Sequence, residues 1–228
     1  MSFTLGTADL ARAELNYPEG GVWMARCYPV EPTTVAKGAR VTLTLGSAVA
    51  NGTIRRGGTF NHATGILVVG GADGWARTLP RHAPYRADNG VRLSTVAADL
   101  AADTGESVVL EPGQERALGY AWTRGAGVAS EALDALSGGL WWVAPDGVTH
   151  IGPHPAPVAV PGATVYSVES VQPERGWARI SCPDDALGAF VTGALVPLGE
   201  GVGSMAIESA SLQVSPSRVV VELWGRIG

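Results

Sequence analysis

The chain has 228 residues, 46% of them hydrophobic and 16% charged, which is enough apolar material to bury a real core. Its 16 Lys and Arg against 21 Asp and Glu give a net charge of −5. That balance argues against a general binder of nucleic acid or anionic membrane, because both need clustered positive charge. Low charge with 31 glycines and 15 prolines reads as a turn-rich chain at ease in an assembly, where interfaces cover apolar surface.

The first stretch, MSFTLGTADLARAELNYPEGG, lacks a basic start followed by an apolar run. No segment approaches the ~18 apolar residues of a spanning helix. The chain therefore reads as made in the cytoplasm, with no membrane partner. Cys27 and Cys182 lie in apolar, strand-like segments and read as two buried free thiols, with a disulfide as the alternative, which no secretory signal supports. From Ala39 to Leu45 the alternation predicts a strand with Val41, Leu43 and Leu45 on one face. In SAVANGTIRR, Asn51-Gly52 predicts a hairpin turn between two short strands. Asn51-Gly52-Thr53 also fits a glycosylation pattern, and a turn is the preferred reading. GILVVGG predicts a strand buried on both faces, and GWARTLP closes this β-region near Pro80.

From about Ala87 the pattern changes. LSTVAADLAADTG predicts a helix over residues 94–104, with Ser94 as N-cap, a stripe of Val96, Ala97, Leu100 and Ala101, and Gly105 as the stop. GVASEALDALSGG predicts a second helix over 128–137, with Val128, Ala132, Leu133 and Leu136 on its apolar side and Gly138-Gly139 ending it. A hairpin pairs Leu140–Val143 with Val148–Ile151 across Pro145-Asp146-Gly147. Gly152 to Gly162 reads as a proline-rich connector. β-character then returns, ending in SRVVVELWG with Val219, Val221 and Leu223 facing one way. The fold class is mainly β: two small β-barrel-like regions, 1–86 and 153–228, flank an α/β insert of two short helices and a hairpin, 87–152.

Catalytic and metal-ligating patterns are sparse, so no catalytic, cofactor or metal residue is assigned and no cofactor is expected. His150 and His154 straddle a hairpin end and a proline linker, without the cysteine or acidic partners of a zinc site. They read, with His62 and His82, as exposed loop histidines. No G-x-S-x-G elbow occurs, and VVGGADGW and RGGTF lack phosphate-loop spacing. Asp99 and Asp103, four apart on a helix, read as a solvated face; Asp184-Asp185 offers carboxylates but no dyad.

The seven tryptophans carry more information. They can be packing residues, seals of a subunit interface, or a sugar-stacking platform. Trp141 and Trp142 are adjacent in a strand, so their rings point to opposite faces and something beyond the local core must cover the second.

The run VRLSTVAADLAADTG, a polar spacer, YAWTRGAGVASEALDALSGG and LWWVAPDGVTHIG resembles the insert of bacteriophage tail (baseplate) hub proteins. These are akin to late control protein D type hubs and the amino-terminal part of type VI secretion spikes. GARVTLTLGSAVANGTIRRGGTFNHATGILVVGG resembles the first barrel of that family, so the likeness spans about residues 20–152. Residues 153–228 match only by β-content and position. The resemblance implies a structural, non-enzymatic virion protein, made in the host cytoplasm: a homotrimer whose paired barrels form a pseudo-sixfold ring between tail tube and tip and let DNA pass. Its implied partners are other tail proteins: the tube or distal tail protein, the tape measure, and tip or fibre proteins. No lysozyme or peptidase segment is recognisable. On this reading Trp141 packs within the insert, a neighbouring barrel or subunit covers Trp142, and Trp142, Trp75 and Trp224 are the candidate interface residues. Arg55-Arg56 and Arg81 to Arg86 are expected on the outer surface or between subunits, leaving a neutral or acidic lumen without specific nucleic-acid binding. A carbohydrate-binding β-module and a tail-attached peptidoglycan hydrolase are the competing readings.

Overall fold

The computed structural model describes residues 3–60, 63–160, 163–199 and 201–228. Six strands close into a barrel in the order Phe3–Leu5, Arg40–Leu45, Ala48–Phe60, Ala63–Gly70, Met24–Pro29 and Ala8–Tyr17. Closure comes from Phe3–Leu5, which pairs with both Arg40–Leu45 and the start of Ala8–Tyr17. Alternating residues fill the interior: Leu43, Leu45, Ala13, Leu15, Ala25, Cys27, Ile66 and Val68 are all buried. The expected face of Leu43 and Leu45 is therefore the core face, with Val41 half-buried beside them. GILVVGG is buried on both faces only over its last four residues, Val68 to Gly71, while Leu67 remains half-exposed.

The reading of Asn51-Gly52 as a turn is corrected. The strand runs unbroken through Ala48–Phe60, and the turn is Gly46-Ser47, where Gly46 adopts φ 58°. Asn51 and Gly52 serve a different purpose. The strand extends past its neighbour's end at Gly70, and the Asn51 N–H donates to the Pro145 carbonyl at 2.7 Å. Gly52 and Gly70 leave room for the fully buried Trp23 ring: a Cβ on either would lie 2.8 Å or 2.6 Å from it.

A second, open sheet continues from the barrel. Gly203–Ser215 pairs with Ala8–Tyr17 through its later half, and with Ala194–Gly199 through its earlier half. Beyond it follow Arg218–Ile227, Trp177–Ser181 and the edge strand Ser167–Gln172. Val158–Ala159, inside the proline-rich connector, pairs parallel with Ala194–Leu195. Val196, Met205, Ile207, Leu212, Val221 and Leu223 form the buried side of this sheet, and Phe190, which ends the 3-10 helix Asp184–Ala189, is buried as well. Val219, Val221 and Leu223 do face inward, as the alternation predicts.

In chain order, helices α1 (Leu93–Thr104) and α2 (Ala129–Ser137) come between the barrel strands and those of the second sheet. Gly105 and Gly138 end them in left-handed conformation, as the glycine stops predict. Ser94 is not the cap: Arg92 holds that position without a side-chain hydrogen bond. Val128 caps α2 and is 37% exposed; Ala129, Ala132, Leu133 and Leu136 are its buried side. GWARTLP forms a 3-10 turn, Gly74–Ala76, and a two-residue strand, Thr78–Leu79, that pairs with Gly127–Val128. Ala83–Arg86 likewise pairs with Ala121–Arg124. The hairpin is Trp141–Val143 with Thr149–Ile151, extended by the parallel strand Val108–Leu110. Both cysteines are free and buried, and burial pushes each thiol up to about 12.

Adding a methyl group at Gly70 forces Trp23 or the barrel strand to shift. Gly70→Ala is expected to destabilise the fold by ~1–3 kcal/mol in chemical denaturation, and an unchanged midpoint would refute the close approach.

Candidate functional site

The hairpin is held at three points. The Gly21 N–H donates to the Trp141 carbonyl at 2.8 Å, and the Val143 N–H returns a bond to the Gly21 carbonyl at 2.9 Å. Trp23 Nε1 donates to the Ala144 carbonyl at 3.1 Å. At the turn, Pro145 accepts from Asn51. With the strand so fixed, Trp141 and Val143 face inward and Trp142 faces out. Trp141 is 7% exposed, and its Nε1 donates to Asp134 of α2 at 2.6 Å. Its ring packs on Trp75, 5.8 Å between centroids.

Trp75 is 2% exposed, and its Nε1 donates to Thr149 Oγ1 at 2.8 Å. Its ring is thus spent on the chain's own core, which removes it from the candidate interface residues. Trp224 is 38% exposed and stands beside its cross-strand neighbour Trp177.

Trp142 is covered from within the chain, which corrects the expectation of a neighbouring barrel or subunit. Its cross-strand partner His150 stacks on one face at 4.2 Å, and His154 stacks on the other at 4.1 Å. Both histidines are half-buried, so they are not exposed loop residues. Glu111 holds His150 Nδ1 at 2.6 Å. His154 Nε2 lies 2.9 Å from the Glu19 carbonyl, so this nitrogen carries the proton and donates. Burial lowers the His154 pKa and favours the neutral ring, whose Nδ1 is then an acceptor. Among the described residues neither that nitrogen nor Trp142 Nε1 has a partner, and both are buried. The two residues line a cleft of about 530 Å³, bordered by Leu140, Pro153, Pro155, Thr192 and Ile207. Glu19, Glu208 and Arg226 also line it, the last two ion-paired, so the cleft offers apolar walls and a buried donor and acceptor beside charged groups.

The other singled-out groups are dispersed. His82 is exposed in its loop, as expected, and His62 lies outside the described residues. Asp103 is not merely solvated, because it ion-pairs with the buried Arg124. Arg55 is paired with Asp73, whereas Arg56 is exposed. Asp184 and Asp185 begin a 3-10 helix and help raise the Cys182 pKa. Among the described residues no group of three or more His, Cys, Asp or Glu side chains could hold a metal ion.

Sequence reasoning missed Glu106. Its carboxylate is 7% exposed and accepts from the N–H of Ala72 at 2.8 Å and of Gly74 at 2.7 Å. It ties the end of α1 to the loop after the barrel. Nothing in its flanking residues marks it, because its donors are backbone groups more than thirty positions away.

No family model and no curated protein sequence matches the chain. Solved structures do. A tail protein from Neisseria meningitidis aligns over 99% of this chain and 96% of its own, with 12% identity and a TM-score of 0.66. The prophage MuSo2 43 kDa tail protein from Shewanella oneidensis aligns over 99% and 98%, with 12% identity and a TM-score of 0.70. An Escherichia coli type VI secretion component, described as structurally similar to tail proteins of bacteriophage T4, aligns over 100% of this chain and 75% of its own. Its identity is 8% and its TM-score 0.66. The chain therefore has the fold of these tail and secretion proteins.

Trp141→Ala should cost ~3–5 kcal/mol, because it empties the space against Trp75 and strips Asp134 of its partner; denaturation of the variant reads this directly. Glu106 supplies a pH dependence. Burial raises its folded pKa above 4.5, outweighing the N–H groups of Ala72 and Gly74 that lower it. Just above pH 4.5 the folded state then binds more protons than the unfolded, so stability falls as pH rises through that window. Glu106→Gln should flatten this segment of the pH–stability curve, and an identical slope in the variant would refute the assignment.

Proposed function

We propose that the chain is a structural tail hub protein, three copies of which form a ring that joins the tail tube to the tail tip and lets DNA pass. The observation that carries this reading is the closed barrel continuous with a second sheet, an arrangement matched along the whole chain by tail proteins. On this proposal 1–86 and 153–228 supply the two ring units of each copy, and 87–152 is the insert between them. Three copies then present six units to a sixfold tube, and the interface is heterologous, closing by rotation. The protein resides in the virion tail after synthesis in the host cytoplasm, and its neighbours are tube or distal tail, tape measure, and tip or fibre proteins. On this proposal its role is structural rather than enzymatic. Trp224 is the leading aromatic at the subunit contact. Trp142 contributes only the edge of its ring, since its faces are covered by the histidines.

Sedimentation should find a particle three times the 23.4 kDa chain mass, and Trp224→Ala should loosen it with little loss of monomer stability. The ring should show no submicromolar, salt-sensitive affinity for duplex DNA at low salt, because cations lining the channel would retain the duplex. A monomer at high concentration would overturn the ring, and tight DNA binding would overturn the passive channel. A monomer that binds glycans would instead favour the carbohydrate-binding module.

A further inference from the structure

Over residues 153–159 the connector turns a single side chain inward. Pro153 and residues 155–159 are exposed, and His154 alone is half-buried. The backbone of residues 153–157 neither donates nor accepts a hydrogen bond among the described residues. Pro153, Pro155 and Pro157 have no N–H to give. The first backbone bond beyond this gap runs from the Val158 N–H to the Gly193 carbonyl at 3.2 Å, where Val158–Ala159 meets Ala194–Gly199. The polar hold on these residues is therefore the one imidazole.

That ring is held by one face and one nitrogen. It lies on Trp142 at 4.1 Å, and its Nε2 donates to the Glu19 carbonyl at 2.9 Å. Nδ1 is buried and has no hydrogen-bond partner of either kind among the described residues. Gly193 stands beside it: a Cβ there would lie 3.9 Å from Nδ1. The N–H of Gly193 is already given to the Ile207 carbonyl. Two titratable groups act on the ring by charge, His150 across the indole against a proton and Glu111 in favour of one. Glu19, Glu208 and Arg226 line the same cleft; Glu208 and Arg226 pair with each other, and Glu19 is exposed. None of the three bonds to Nδ1.

We propose that His154 is a proton-operated latch: a proton bound at Nδ1 drives the ring off Trp142 and frees the connector from the cleft. A neutral Nδ1 is an acceptor without a donor. A protonated Nδ1 is a charged N–H shut away from both water and any acceptor, which costs far more. The attraction of an indole face for a cation opposes release, and here it is divided between two imidazoles on one ring. Burial is the largest influence on His154 and lowers its pKa. Once released, the ring meets water and takes a proton at its ordinary pKa of about 6.5. Below that pH the released state binds more protons than the docked one, so docking weakens as pH falls; above it the latch holds in full. Release uncovers one face of Trp142 and widens the cleft beside the exposed Leu140. The latch does not depend on the ring reading, because every group in it belongs to one chain.

The test follows hydrogen exchange of the Val158 amide in the full chain, with its protection corrected for the intrinsic effect of pH. Between about pH 6.5 and the lower pKa of the docked ring, protection should fall by up to about tenfold per pH unit, the limit for one proton. His154→Phe keeps a ring on Trp142 that cannot titrate, so its Val158 protection should not change over this range. His154→Ala should lower Val158 protection at every pH and remove the pH dependence. NMR of labelled histidine in the wild-type chain needs no variant: the His154 signal should titrate together with the loss of Val158 protection. Protection that stays level with pH in the wild type overturns the latch. An equal fall in His154→Phe also overturns it, because the titrating group then lies elsewhere. A protonated His154 that stays docked, with Val158 still protected, overturns it as well.

Discussion

The indole of Trp23 is the constraint on which the rest of the structure depends. It is fully buried, it lies against the bare backbone of Gly52 and Gly70, and its N–H reaches the Ala144 carbonyl 121 positions away. One ring thus seals the barrel and anchors the insert hairpin. The glycines are required for their lack of a side chain: with any Cβ present the ring cannot approach. The hydrogen bond to Ala144 satisfies a donor that would otherwise be buried unpaired, at a cost comparable to the bond itself. The adjacent backbone bond from Asn51 to Pro145 then sets the hairpin turn on the barrel strand.

With the hairpin fixed, the two neighbouring tryptophans divide by strand geometry. Trp141 enters the core between Trp75 and α2, and Trp142 is left on the outer side. The chain covers it with histidines, one on the partner strand and one on the connector that follows. This stack also docks the connector, because His154 bonds the Glu19 carbonyl while it lies on the indole. The proline-rich stretch is consequently held against the barrel side of the molecule before the second sheet begins. Glu106 does the same for the end of α1, its carboxylate gathering the N–H groups of Ala72 and Gly74. The insert is thus fastened at Gly21, Trp23, Asn51 and the 72–74 loop.

Such fastening bears on assembly. A surface can transmit load or set the rotation of a ring only if its parts do not move relative to one another, and the buried polar bonds above hold the insert to the barrel.

Local pattern alone determined the class of the protein's structure: alternation marked the strands at 40–45 and 218–227, and glycine stops located the ends of α1 and α2. It also separated Trp141 from Trp142, since that follows from the two-residue period of a strand. The resemblance to tail hubs, read on the insert, agrees with the fold of the aligned tail proteins. What the sequence left open is whatever depends on contacts between distant segments. Asn51-Gly52 looks like a turn because local propensity cannot show that Trp23 needs the space and Pro145 needs the N–H. His150 and His154 look like loop residues because their partner is the ring that they enclose, and Trp75 looks available because Thr149 and Trp141 are far from it in sequence. Only the tertiary structure decided these, for one reason: burial and hydrogen-bond satisfaction are properties of a neighbourhood in space, whereas periodicity and capping are properties of a neighbourhood along the chain.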